Sequence, residues 1–178
     1  MNLPNKLTLL RVAIIPLCLL LTMSDLNVLA AILFITACLT DFFDGYIARK
    51  QGIVTNFGKF ADPVADKILV LTMMVALLAR GDYYWWAVCI VVIRELAVDG
   101  LRLVAVNQCI VIPAGNLGKI KTNIQFLSIL TALLGAAQWL TLTLAVLMAL
   151  FTLISGIQYF ISGKDLFRQD IIKQSAHK

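Results

Sequence analysis

Four aspartates lie close together in the stretch TDFFDGYIARKQGIVTNFGKFADPVADK, which runs from residue 40 to residue 67. Asp41 and Asp44 are three residues apart, and Asp62 and Asp66 are four apart, so on helices each pair shares a face. Four carboxylates held together in an apolar setting repel one another unless cations neutralise them. Hard oxygen ligands of this kind suit Mg²⁺ or Mn²⁺. The spacing therefore predicts a site for two divalent cations, Mg or Mn.

A helical hairpin would bring the two pairs of aspartates together. Gly52 and polar neighbours in residues 51–56 predict a turn between two helices. Pro63 is expected in the first turn of the second helix, where its missing N–H has no partner, and it would fix where that helix begins. The alternative is a solvated acidic loop at a membrane surface, but the helical spacings and apolar flanks favour the hairpin.

The composition predicts an integral membrane protein. The 178 residues are 61% hydrophobic and 14% charged, whereas soluble domains carry about 25% charged residues. Stretches of about 20 apolar residues can each cross a bilayer, and six candidates occur, at 7–23, 26–48, 60–79, 83–106, 119–134 and 139–161. We predict one all-α membrane domain over residues 1–178, with six transmembrane helices enclosing a cytosol-facing polar cavity.

The basic residues predict the orientation of these segments. Nearly all of them fall at one end of the predicted spans, whereas Arg80 lies at the other end. By the positive-inside rule, both termini and the aspartates would be cytosolic. The net charge of +5 then reflects topology and contact with anionic membrane lipids, and no nucleic-acid motif is present. The four cysteines lack the spacing of a disulfide framework or a zinc site.

A second set of charges predicts an anion site. Arg94 lies deep within the fourth predicted span, and Arg102, Lys119 and Lys121 follow it along the chain. Such cations, facing a cytosolic cavity, would bind an anionic substrate. The alternative for Arg94 is a structural ion pair with its neighbour Glu95.

The aspartate pattern resembles the signature of the CDP-alcohol phosphatidyltransferase family. It reads Asp41-x2-Asp44-Gly45-x2-Ala48-Arg49-x8-Gly58-x3-Asp62-x3-Asp66, and it matches that signature at every position. Asn5, Thr8 and Arg11 in NKLTLLR, RELAVDGLR at residues 94–102 and GKIKT at residues 118–122 resemble the branch of the family that uses glycerol 3-phosphate as acceptor. Asp99 departs from the small neutral residue expected there.

The resemblance implies roles for individual residues. Those expected to bind the metals are Asp41, Asp44, Asp62 and Asp66, and Asp66 is also expected to be the catalytic base. Those expected to contact the CDP-lipid are Asn5, Thr8, Gly45, Ala48, Arg49 and Gly58. Those expected to bind the phosphate of the acceptor are Arg11, Arg94, Arg102, Lys119 and Lys121.

The resemblance also implies a reaction. The phosphatidyl group of CDP-diacylglycerol would pass to glycerol 3-phosphate by in-line attack, giving phosphatidylglycerophosphate and CMP. The protein would be a homodimer in a bacterial-type cytoplasmic membrane. Two alternatives stay open, namely another acceptor such as inositol 1-phosphate, and a cation-coupled transporter whose membrane-embedded acids line an ion path.

Overall fold

The structure is a computed structural model that describes residues 3–51, 56–107 and 116–163. Within these ranges, side chains are described for residues 9–40, 61–106 and 117–163. The predicted turn at residues 52–55 and the polar tail beyond residue 163 lie outside the described residues.

The described residues form six α-helices and no strand. Their bounds are α1 Leu3–Met23, α2 Asn27–Gln51, α3 Asn56–Arg80, α4 Trp85–Asn107, α5 Asn116–Leu133 and α6 Gln138–Ser162. Each helix covers one of the apolar segments found in the sequence, so the all-α prediction is confirmed.

The prediction of six membrane spans is not confirmed. Among the described residues, only α6, Gln138–Ser162, is both long and apolar enough to cross a bilayer by length and composition. Shorter apolar stretches occupy Leu9–Met23 in α1 and Asn27–Thr40 in α2. Six spans and a polar cavity between them stay predictions.

Two compact units divide the chain, and the first consists of Met1–Tyr84 with Ile129–Thr141. Here α1 packs against both α2 and α3. Small residues such as Cys18 and Ala30 are fully buried, and so are Phe34 and Met73. Small side chains let helix backbones approach closely, while the larger ones fill the space between the helices.

Arg80, the last residue of α3, fastens that helix to the turn between α1 and α2. Its Nη1 donates to the backbone oxygen of Thr22 at 2.7 Å and to Oδ1 of Asn27 at 2.6 Å. Its Nη2 lies 3.2 Å from Oδ1 of Asp25 and 2.8 Å from Oδ2 of Asp82. These contacts join the two turns at this end of the first unit.

Three described helices end in the same backbone motif. After α1, α3 and α5, one residue has positive φ, namely Asp25 (58°), Gly81 (83°) and Gly135 (65°). In each case the next N–H donates to a carbonyl five residues back, as from Asp82 to Leu77 at 2.9 Å. This left-handed cap satisfies carbonyls that the helix end leaves without partners. Glycine suits the position, since it adopts positive φ without steric cost.

The expectation that Pro63 begins the third helix is wrong. The helix α3 begins at Asn56, so Pro63 lies in its interior. The apolar segment starts several residues after the helix does, because a helix can continue into a polar end that hydropathy does not detect. A proline inside a helix removes one backbone hydrogen bond and favours a kink.

The second unit consists of Trp85–Ser128 with Leu142–Lys178. It contains α4, most of α5 and most of α6. Part of its core is a cluster of buried residues formed by Val98, Leu101 and Ala105 of α4 and Tyr159 of α6. The helices of this unit carry the predicted anion-binding residues Arg94, Arg102, Lys119 and Lys121.

Candidate active site

The predicted metal ligands lie on two helices of the first unit. Asp41 and Asp44 are on the last part of α2, and Asp62 and Asp66 are on α3. Both segments are helical, so each pair of aspartates shares a face of its helix as the spacing predicted. The side chains of Asp41 and Asp44 lie outside the described residues, and the meeting of all four carboxylates stays a prediction.

Asp62 and Asp66 are both half-buried, one turn apart on α3. Two carboxylates in this setting offer only oxygen ligands and retain access to solvent or substrate, which suits a hard divalent cation. Among the side chains that the structure describes, no three acidic, His or Cys residues come together as a metal site. Asp41 and Asp44 are not among those described side chains.

The remaining site residues of the first unit lie on α1, α2 and α3. Arg11 is on α1 and is only 1% exposed. Burying a guanidinium is costly unless opposite charges or hydrogen bonds compensate it. The side chains of the predicted CDP-lipid residues are not described, and their helix positions are Asn5 and Thr8 on α1, Gly45, Ala48 and Arg49 on α2, and Gly58 on α3.

In the second unit, Glu95 brings two of the predicted anion-binding residues together. Oε1 of Glu95 accepts a hydrogen bond from Nη1 of Arg94 at 2.9 Å and one from Nζ of Lys121 at 2.7 Å. The side chains of Arg94, Glu95 and Lys121 are 16%, 11% and 5% exposed. One carboxylate thus holds a cation of α4 and a cation of α5 in a nearly buried cluster.

Part of the Arg94 guanidinium is left without a partner in this cluster. Its Nε is buried and donates to no acceptor among the described residues. Gly156 of α6 makes room for the side chain, since a Cβ on Gly156 would lie 3.3 Å from Cγ of Arg94. A buried donor without an acceptor costs about 1–3 kcal/mol, so a ligand that supplied an acceptor here would be favoured.

The other two predicted anion-binding residues have different surroundings. Arg102 is exposed, and its Nε donates to the hydroxyl of Tyr159 at 2.8 Å. Lys119 is exposed on α5. Asp99 is half-buried on α4, one turn before Arg102. The structure therefore groups Arg94 with Lys121, while Arg102 is held by an aromatic side chain of α6.

Sequence reasoning missed two residues that shape this site and part of the role of a third. Glu95 was considered only as a partner of Arg94, and its bond to Lys121 joins residues 26 positions apart. Tyr159 and Gly156 were not identified at all. The one available signal was their type and place, because a tyrosine and a glycine near the end of an apolar helix are candidates for a polar contact and a close approach.

The chain matches a known family. Residues 1–153 match the family model of the CDP-alcohol phosphatidyltransferases. The chain belongs to the CDP-alcohol phosphatidyltransferase family, and it is an enzyme of that class. The recognition made from the aspartate signature is confirmed, and members of this family generally depend on divalent cations.

Several bacterial proteins are similar to the chain over most of its length. It is 39% identical over 180 residues to the CDP-diacylglycerol–glycerol-3-phosphate 3-phosphatidyltransferase of Bacillus subtilis (strain 168), covering 89% of this chain and 93% of that protein. It is 38% identical over 176 residues to a protein of the same name from Rickettsia bellii, covering 93% and 97%. It is also 41% identical over 167 residues to a probable phosphatidylglycerophosphate synthase of Mycobacterium tuberculosis, covering 89% and 79%.

Proposed function

We propose that this enzyme transfers the phosphatidyl group of CDP-diacylglycerol to glycerol 3-phosphate, giving phosphatidylglycerophosphate and CMP. The observation that carries the proposal is the buried cluster in which Glu95 holds Arg94 and Lys121. This cluster contains two cations and one carboxylate, and its excess positive charge supports an anionic acceptor. The relatives named for glycerol 3-phosphate support that particular acceptor.

The aspartates of α2 and α3 would act on the phosphate groups of the donor. Asp41, Asp44, Asp62 and Asp66 would hold two divalent cations, Mg or Mn. Such cations, when bound, stabilise the attacking and leaving oxygens of an in-line displacement at phosphorus. Asp66 would accept the proton of the attacking hydroxyl, and a base placed in this way contributes about 10²–10⁴-fold to the rate.

The cations of the second unit would bind the phosphate of the acceptor. Arg94 and Lys121 are fixed by Glu95, so they lose little conformational freedom when a ligand arrives. Nε of Arg94 is a buried donor that lacks an acceptor among the described residues. Arg102 and Lys119 are exposed and would add further charge. An anionic acceptor would receive hydrogen bonds from groups that are already in place.

The remaining predicted contacts belong to the CDP-lipid. Gly45, Ala48 and Gly58 would leave room for the nucleotide, and Arg49 with Asn5 and Thr8 would meet its polar groups. Arg11, by contrast, would add a buried positive charge for the phosphate of the acceptor.

A membrane location is part of the proposal. Large apolar side chains are exposed along the described helices, for example Leu20, Ile93 and Ile157. A soluble monomer rarely exposes so much apolar surface. Trp85 and Trp139 are exposed at the starts of α4 and α6, as expected for residues at the level of the lipid headgroups. We place the protein in the cytoplasmic membrane as a homodimer, with both termini and the active site cytosolic.

The test is an acceptor panel with the purified protein. CDP-diacylglycerol and Mg²⁺ or Mn²⁺ are supplied with glycerol 3-phosphate, inositol 1-phosphate, serine or glycerol in turn, and CMP release is measured. We expect CMP only with glycerol 3-phosphate and none after metal chelation. Glycerol is the matched control, because it lacks only the phosphate. Faster release with inositol 1-phosphate would overturn the choice of acceptor.

A control assay addresses the transporter alternative. The protein is placed in liposomes loaded with a cation-sensitive dye, and cation flux is followed without nucleotide. We expect no flux above empty liposomes. Flux without CMP release would instead favour a transporter.

A further inference from the structure

A tyrosine of α6 holds the side chain of Arg102 in two ways. The hydroxyl of Tyr159 accepts a hydrogen bond from Nε of Arg102 at 2.8 Å. Cζ of the same guanidinium also lies 5.2 Å from the centre of the Tyr159 ring. A cation near an aromatic ring at this distance is attracted to it. The two contacts together restrict a long side chain that is otherwise exposed.

Tyr159 is itself firmly placed. It is 6% exposed and belongs to a buried cluster with Val98, Leu101 and Ala105 of α4. Its ring is therefore fixed against the same helix that carries Arg102. A hydroxyl on a fixed ring is a better anchor than one on a mobile surface residue, because little freedom remains to be lost.

The hydroxyl of Tyr159 occupies the Nε side of the Arg102 guanidinium and leaves the side with Nη1 and Nη2 for a ligand. The hydrogen bond to Tyr159 uses Nε of Arg102 and therefore leaves its Nη1 and Nη2 for other acceptors. These two nitrogens form the fork that binds phosphate through two parallel hydrogen bonds. Lysine at position 102 could not bond the tyrosine through one nitrogen and offer two others to a phosphate, so arginine suits the place.

We propose that Tyr159 is a positioning residue that presents the Nη1 and Nη2 groups of Arg102 to the phosphate of the acceptor. Tyr159 thereby raises the affinity for phosphorylated acceptors without touching them. This inference rests on the proposed function, since it needs Arg102 to bind the acceptor.

The test begins with Tyr159→Phe, which removes the hydroxyl and keeps the ring in the buried cluster. The KM for glycerol 3-phosphate should rise roughly tenfold, which is the effect of losing about one hydrogen bond to a charged group. The kcat and the KM for CDP-diacylglycerol should stay unchanged, because the lost contact concerns the binding of the acceptor alone. A merely structural role would not separate the two KM values. The matched control is Tyr83→Phe, the same change at a buried tyrosine of the first unit.

A double-mutant cycle shows whether Tyr159 acts through Arg102. In an Arg102→Gln background, Tyr159→Phe should have no further effect on the KM for glycerol 3-phosphate. An effect that persists in that background would overturn the inference, and so would an unchanged KM in the single variant. A wild-type protein that releases no CMP with glycerol 3-phosphate would overturn the proposed function itself. If the wild-type protein is active and Tyr159→Phe has the same KM for glycerol 3-phosphate, only the role of Tyr159 is overturned.

Discussion

Glu95→Gln is the change that most directly tests the buried cluster of the second unit. The carboxylate of Glu95 is 2.9 Å from Nη1 of Arg94 and 2.7 Å from Nζ of Lys121. Glutamine has nearly the same shape and keeps one oxygen that can accept both hydrogen bonds. The variant therefore removes the negative charge and leaves the packing largely unchanged.

The expected loss in the free energy of unfolding for Glu95→Gln follows from how deeply Arg94 and Lys121 are buried. Removing one member of a buried ion pair costs about 3–5 kcal/mol, because the other charge is left uncompensated. Lys121 is nearly buried, at 5% exposure, but Arg94 retains 16%. Because the glutamine oxygen still accepts hydrogen bonds, we expect a somewhat smaller loss, about 2–4 kcal/mol in the free energy of unfolding.

Lys121→Met should lower the free energy of unfolding less than Glu95→Gln does. In Lys121→Met the carboxylate keeps Arg94 as its partner, and the new side chain fills the space with apolar atoms. We expect a loss of about 1–2 kcal/mol. The double variant should cost less than the sum of the two single changes, since the buried ammonium that Glu95 neutralised is then absent and only Arg94 loses its counter-charge.

Unfolding in mixed micelles with a rising fraction of denaturing detergent, followed by helical circular dichroism, measures these differences. The matched control is Asp25→Asn, another change from carboxylate to amide in an ion pair. The Asp25 side chain is 80% exposed, so its loss should cost less than about 1 kcal/mol. If the costs of Glu95→Gln and Lys121→Met simply added, the two residues would not be coupled and the cluster would not exist in solution.

Three further predictions concern other parts of the molecule. Asp66→Asn should lower CMP release by about 10²–10⁴-fold at saturating metal and substrates, and near-normal turnover would exclude Asp66 as the base. Arg80→Met should lower the free energy of unfolding by about 1–3 kcal/mol, since it removes the part-buried hydrogen bonds to the oxygen of Thr22 and to Oδ1 of Asn27. The kcat of the folded enzyme should not change, and a lower kcat at full stability would contradict a purely structural role. Gly156→Ala should raise the KM for glycerol 3-phosphate, because the added methyl group would displace the side chain of Arg94. The stability should change little, because crowding Arg94 destabilises the fold by about 1 kcal/mol and replacing glycine by alanine in a helix stabilises it by about as much. Gly100→Ala, whose Cβ would meet nothing within 4 Å, is the control, and an equal KM in both variants would contradict the prediction.

The helices could be predicted from the sequence because each contains a long apolar segment, but their ends could not. The helix α3 begins at Asn56 although its apolar segment begins near residue 60, and α2 continues to Gln51. Hydropathy marks what is buried or faces lipid, while the helix itself extends into polar residues at its ends. The misplacement of Pro63 follows directly from this difference.

The contacts that build the site could be predicted only where they are local. The two aspartate pairs follow from helical spacing alone. The bond between Glu95 and Lys121 joins positions 26 apart, and the bond between Arg102 and Tyr159 joins positions 57 apart. Such contacts depend on how helices pack, and no periodicity in one sequence encodes them.

If the second unit binds the acceptor as proposed, its charges limit the kind of acceptor that fits. Its described residues carry four cations and two carboxylates, which leaves two positive charges; the set is Arg94, Arg102, Lys119 and Lys121 with Glu95 and Asp99. A phosphate monoester brings about −1.5 to −2 charges at pH 7, close to what would neutralise them. Serine or another zwitterion would leave this excess positive charge uncompensated. Glycerol 3-phosphate and inositol 1-phosphate carry the same phosphate, so these cations cannot distinguish them, and the groups that contact the polyol must make that choice.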